Sequence, residues 1–140
     1  MQVNISPVER IRQHATYKAD TVAAIYEGKN YTYADLYDAA RKFAAGLLDL
    51  GVRPGDRVAY LGFNSYNFMV EMLGSFWVGA VFVPLNFRLA AAEVQGLLID
   101  FEPKVVVVEP GQEAVFDSIA SDISTYALLV DNDQELSEYE

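Results

Sequence analysis

The chain has 140 residues, 52% of them hydrophobic and 13% aromatic, which is one domain's worth of material with enough apolar mass for a core and excludes a largely disordered protein. Its formal charge of -10 is uneven: residues 1–108 carry 11 acidic and 10 basic side chains, residues 109–140 carry 9 acidic and none basic, so no basic stripe for nucleic acid or anionic lipid exists. Zero cysteines exclude disulfides, thiol nucleophiles and thiolate metal sites, and Met1–Pro7 lacks the basic and apolar regions of a secretory leader, which makes cytoplasm the expected compartment.

Val8 to Ala15 forms a short amphipathic helix, with Val8, Ile11 and Ala15 at helical spacing. His14, the single histidine, lies there beside Arg10, Arg12 and Lys18 without a second ligand-type residue at metal spacing, and reads as a surface residue. Thr21–Tyr26 reads as a strand, Glu27-Gly28-Lys29-Asn30 as a turn, and Tyr31-Thr32-Tyr33 as the returning strand of a hairpin. From Ala34 to Leu50 the apolar positions Leu36, Ala40, Phe43, Leu47 and Leu50 recur at spacings of 4, 3, 4 and 3, one face of a helix. Thr32 and Asp35 form a capping box at its start, and Gly51 in the left-handed conformation ends it.

Pro54 and Gly55-Asp56 then turn the chain into the apolar strand Val58–Leu61. After Gly62-Phe63-Asn64-Ser65, where Asn64 or Ser65 caps, a helix runs to about Val78 and is apolar almost all round, which marks burial. The 18 residues from Phe68 to Leu85 carry one charge, Glu71, and reach membrane-span length; Gly74, Gly79, Pro84 and the β-branched second half make them a buried helix and a buried strand instead. The pattern continues with strand Val81–Pro84, helix from about Ala90 to Ile99, strand Val105–Val108, turn Glu109-Pro110-Gly111, helix from about Gln112 to Ile119, and strand Tyr126–Val130. Strand starts at Val58, Val81, Val105 and Leu128 are 23, 24 and 23 residues apart, the spacing of βα units. Continuous apolar strands alternating with helices predict an α/β fold, a three-layer, doubly wound, mostly parallel sheet with the N-terminal hairpin packed at its edge.

Such a sheet holds ligands at the carboxyl ends of its strands, so those turns are where chemistry is sought. Gly62-Phe63-Asn64-Ser65 has one glycine where a dinucleotide fingerprint needs three, and no phosphate-binding loop with a Gly-Lys-Ser/Thr ending occurs. Arg88 in Asn86-Phe87-Arg88 is the best anion ligand among the strand ends, although a partner such as Glu93 or a loop carbonyl would occupy it. Asp131-Asn132-Asp133 lacks the glycine and distal glutamate of a calcium loop. No Ser, His and Asp set forms a triad, and no residue is assigned as catalytic, cofactor-binding or metal-binding.

Taken in order, Tyr31-Thr32-Tyr33-Ala34-Asp35-Leu36, Gly51 to Val58, Gly79 to Asn86 with Arg88, then Glu93 and Pro103-Lys104-Val105-Val106-Val107 closely resemble the amino-terminal portion of the AMP-forming acyl-CoA synthetase family. The resemblance covers roughly residues 5–130. It implies residues 1–130 as the amino-terminal subdomain of an adenylating enzyme, while the run of acidic residues over 131–140 reads as a solvated, flexible end. Members turn a carboxylate, ATP and CoA into acyl-CoA, AMP and pyrophosphate, and the resemblance implies a parent enzyme using ATP, Mg2+ and coenzyme A, with fatty acid ahead of an aryl acid as substrate. The family's Ser/Thr/Gly-rich ATP loop and catalytic lysine match no position here. The chain is therefore expected to be a scaffold part, not competent alone, whose partner is the remainder of a ligase polypeptide. Two other readings stand beside it: a standalone flavodoxin-like module binding a small anion, and an oligomerisation piece. The bulk of Phe68, Phe76, Trp77 and Phe82 favours the first and allows a homodimer through exposed apolar surface.

Overall fold

A computed structural model describes residues 6–122 and 126–129 of the chain. The expected Val130 and the acidic stretch 131–140, including Asp131-Asn132-Asp133, lie outside the described residues. Helix α1 (Pro7–Tyr17) precedes a hairpin of β1 (Val22–Tyr26) and β2 (Lys29–Thr32), followed by α2 (Tyr33–Asp49). The parallel part comprises β3 (Arg57–Leu61), α3 (Tyr66–Trp77), β4 (Val81–Leu85), α4 (Ala91–Phe101), β5 (Val105–Val108), α5 (Glu113–Asp117) and β6 (Tyr126–Leu129).

The large sheet has the order β4-β3-β5-β6 with every pairing parallel. Alternate residues of β3 and β5 feed separate cores. Val58, Tyr60, Val105 and Val107 pack with Leu36, Phe43 and Leu47 of α2 and Val70 and Leu73 of α3. Ala59, Leu61, Val106 and Val108 pack with Val94 and Leu98 of α4 and with Phe116 and Ile119. Two cores on opposite faces of one sheet are what three layers mean, and a right-handed crossover requires the helices to change face when the winding reverses after β4.

Local chemistry places the elements. The Thr32–Asp35 capping box is present in both directions, at 3.1 Å from Asp35 N–H to Thr32 Oγ1 and 2.8 Å from Thr32 N–H to Asp35 Oδ2. Of the two residues before α3, Ser65 is the cap, accepting from Phe68 N–H at 3.1 Å. Gly51 and Gly79 stand at φ 80° and 78°, a conformation that costs other residues about 1–2 kcal/mol. The turns those glycines begin are bonded to each other: Gly55 N–H donates to Gly79 O at 2.9 Å and Val81 N–H to Asp56 O at 2.7 Å.

Three expectations are corrected. The hairpin turn is only Glu27-Gly28, with both φ positive (48° and 77°), so Lys29 and Asn30 belong to β2 and Tyr33 opens α2. This is the tight-turn geometry that matches strand twist. The hairpin also forms its own sheet and does not lie at the large sheet's edge; it rests on α2 and α3, with Tyr31 stacked on Tyr66 at 3.6 Å between ring centroids. His14 is less exposed than expected, half-buried on α1 with its ring 4.8 Å from that of Tyr33.

Gly74 and the bulky aromatics serve packing. A Cβ at Gly74 would stand 2.6 Å from Phe43 Cδ1 and 3.0 Å from Ala40 O, so the missing side chain lets α2 and α3 approach. Phe68 and Phe82 surround Tyr60 with centroids 5.0 and 5.9 Å away, and Trp77 leans on Tyr37 at 5.1 Å, whereas Phe76 is 39% exposed. The most exposed large apolar side chains, Tyr17, Ile25, Leu48 and Ile99, sit on four different elements.

One tie was not anticipated from the sequence. The Arg57 guanidinium donates from Nε to Phe101 O at 2.8 Å and from Nη2 to Glu102 O at 2.9 Å, capping the last carbonyls of α4. Hydrogen bonds from a charged donor stabilise by about 1.5–3 kcal/mol before solvent screening. Arg57→Met is expected to lower the urea midpoint by an amount equivalent to about 1–2 kcal/mol, with the earliest amide-exchange losses at the end of α4.

Candidate functional site at the carboxyl ends of the strands

In the order β4-β3-β5-β6 the chain leaves β3 to one side and returns to its other side at β5, so the topological switch point lies between the ends of β3 and β5. The residues just past those ends are Gly62 and Glu109, tied by Glu109 N–H donating to Leu61 O at 2.9 Å. A Cβ at Gly62 would come within 2.5 Å of both Cβ and Cγ of Glu109. Glycine here thus makes room for the Glu109 side chain, which stands at the place where an open sheet usually offers a crevice.

Beneath it lies Glu71, whose side chain is fully buried on α3, while Glu109 is 7% exposed. Neither oxygen of Glu71, nor Oε1 of Glu109, receives a hydrogen bond from any donor among the described residues. Burial, then the neighbouring Glu109, push the Glu71 carboxyl well above the usual range. Burial also raises Glu109, opposed by the neighbouring Glu71 and Asn67 side chains. Tyr60, raised chiefly by burial, donates from its hydroxyl to Phe63 O and lies 3.4 Å from Ser65 Oγ. Tyr26 is raised by burial and by Glu27, with a smaller effect of Glu109. The switch point is therefore an acidic and phenolic cluster.

The other strand ends are plainer. Arg88 is exposed, with its guanidinium carbon 5.5 Å from the Phe87 ring centre and its N–H donating to Asn86 Oδ1 at 3.0 Å. It does not pair with Glu93, because the Glu93 carboxylate caps α4 through Ala90 N–H at 2.8 Å. At β5, Pro110-Gly111 turns toward α5, Gly111 N–H donating to Glu113 Oε2 at 2.7 Å. Among the described residues no group of three or more His, Cys, Asp or Glu side chains is placed to hold a metal ion, and no helix is long and apolar enough to cross a membrane.

The end of β3 differs from a phosphate site in its charge and in its helix cap. Phosphate sites use cationic side chains or free helix amides, and here the switch point carries Glu109 while Ser65 engages one amide of the first turn of α3, that of Phe68. Sequence reasoning missed the Glu71–Glu109 pair. Its available signal was the single charge of an otherwise apolar helix.

The fold is thus a doubly wound α/β domain. Residues 11–140 match the model of the family described as AMP-binding enzyme, and the chain belongs to that family. It is 39% identical over 117 residues to a feruloyl-CoA synthase of Amycolatopsis sp, covering 82% of this chain and 23% of that protein. It is also 39% identical over 111 residues to a long-chain-fatty-acid–CoA ligase of Mycobacterium tuberculosis, covering 78% of this chain and 22% of that one. A solved fatty acyl CoA synthetase structure from Mycobacterium tuberculosis superposes with a TM-score of 0.79 at 33% identity, over 94% of this chain and 27% of that chain. The chain therefore spans about a quarter of the length of the relatives it matches.

Proposed function

We propose that residues 1–130 act as the amino-terminal subdomain of an AMP-forming acid–CoA ligase, a scaffold that makes no adenylate alone, with the rest of a ligase polypeptide as its partner. The observation that carries this reading is the strand-end chemistry. Transfer of an adenylyl group needs positive charge, from a metal or from Lys and Arg, around the phosphates. The switch point here presents Glu109 over Gly62 instead. The same carboxyl argues against a standalone module binding a small anion at that crevice. ATP, Mg2+ and coenzyme A belong to the parent reaction, and its setting is cytoplasmic. Fatty acid is the first substrate reading, supported by the long-chain ligase relative. The feruloyl-CoA synthase relative favours an aryl acid as the second.

The 140-residue chain, given Mg-ATP and either palmitate or ferulate, is expected to show no carboxylate-dependent ATP–pyrophosphate exchange above the protein-free rate. Exchange with either acid overturns the scaffold reading, and the acid that supports exchange in the native cell's product decides between the two substrates.

A further inference from the structure

We propose that Glu71 and Glu109 share one proton across the contact between α3 and the end of β5, with Glu71 the donor, and that this pair makes the stability of the chain fall as pH rises.

The geometry requires a donor that the other described residues do not supply. Two carboxyl groups are removed from water, and three of their four oxygens receive no N–H or O–H. Leaving a buried acceptor unmet is costly, and leaving two like charges unpaired in low dielectric costs more. A cation would answer both, but among the described residues the groups beside the pair are Asn67 at the start of α3, Tyr60 of β3 and Tyr26 of β1. None carries positive charge. A proton on Glu71 answers both costs: it neutralises one carboxyl and gives Glu109 a donor. Gly62 is the enabling residue, since any Cβ there would push Glu109 off this path.

The sign follows by linkage. Both carboxyls lie above their ordinary value of 4.5 in the folded chain, so the folded state holds a proton that the unfolded state releases. The pair's contribution is complete below that ordinary value and is lost as pH rises through the folded value. Across that window the unfolding constant grows about tenfold per pH unit for the one extra proton. This is opposite to a salt-bridged carboxylate, whose contribution is lost on acidification.

The test is a 13C titration of the Glu side-chain carboxyls of the whole chain, with pH-dependent urea unfolding beside it. One carboxyl resonance, absent in Glu71→Gln, is expected to remain protonated at about pH 6, where an ordinary Glu is ionised. In Glu109→Gln the Glu71 midpoint is expected to fall, because a like charge is replaced by an amide donor. Glu71→Gln keeps a donor toward Glu109 and is expected to flatten the loss of stability as pH rises above the ordinary carboxyl range. All glutamates ionising with ordinary midpoints in the unsubstituted chain would overturn the proposal, and this needs no variant to fold. A Glu71 midpoint unmoved by Glu109→Gln overturns the sharing and leaves burial alone as the cause.

Discussion

Alanine at Gly74 is expected to destabilise the chain by about 1–3 kcal/mol, whereas alanine at Gly96, also inside a helix, is expected to stabilise it by about 0.5–1 kcal/mol. The intrinsic preference is the same at both sites and favours alanine. At Gly96 nothing lies within 4 Å of the new Cβ, so that preference acts alone. At Gly74 the Cβ meets Phe43 Cδ1 at 2.6 Å, Ala40 O at 3.0 Å and Ala44 N at 3.2 Å. Phe43 is 3% exposed and has little space to move into, and two of the three atoms are backbone. The helices must therefore separate, at a cost that exceeds the helical gain. Urea midpoints of the two variants, with unchanged m-values, check the opposite signs. A stabilised Gly74→Ala would mean that α2 and α3 are not packed through this glycine.

Leu47→Ala and Leu98→Ala are each expected to cost about 2–5 kcal/mol, and the double variant to cost their sum within about 0.5 kcal/mol. Both side chains are essentially fully buried, at 0% and 1% exposure. They sit in different cores, Leu47 with α3 and the Val58 face of the sheet, Leu98 with the Ala59 face. No buried residue is common to the two sets, so a hole on one side has no route by which to relax into the other. Urea titration of the two single variants and the double variant measures the coupling. A coupling above about 1 kcal/mol would show that the central strands transmit repacking between layers.

Most of this architecture was legible because its signals are local. The Leu36, Ala40, Phe43, Leu47 stripe, the Thr32–Asp35 pair and the left-handed glycines each act within a few residues, and the helices and strands stand where those signals put them. The hairpin was harder. Its turn places Glu27 at positive φ, a position where Asn, Asp or Gly is the usual sign, and its resting place on α2 and α3 is set by aromatic stacking between Tyr31 and Tyr66. Arg57 and the Glu71–Glu109 pair were illegible for a related reason. Their partners are distant in the chain and meet only once the sheet is assembled, so no spacing announces them. Arg88 illustrates the converse, since its sequence neighbour Glu93 was the obvious mate and yet is engaged by the backbone of its own helix.

The bonds joining Gly55 to Gly79 and Asp56 to Val81 act as an alignment stop for β3 and β4. Below them the pairing runs Arg57 with Val81, Val58 with Phe82, Ala59 with Val83 and onward to Leu61 with Leu85. A slip of one residue in a sheet covered on both sides would not merely expose apolar groups to water. It would send Tyr60 toward the α4 layer and Leu61 toward α2 and α3, swapping a large aromatic for a smaller aliphatic in two finished interiors at once. Such a mistake leaves hydrophobicity unchanged and is therefore weakly policed by burial alone. The paired turns supply the missing penalty, since the misaligned sheet would forfeit both of their hydrogen bonds before any side chain is placed.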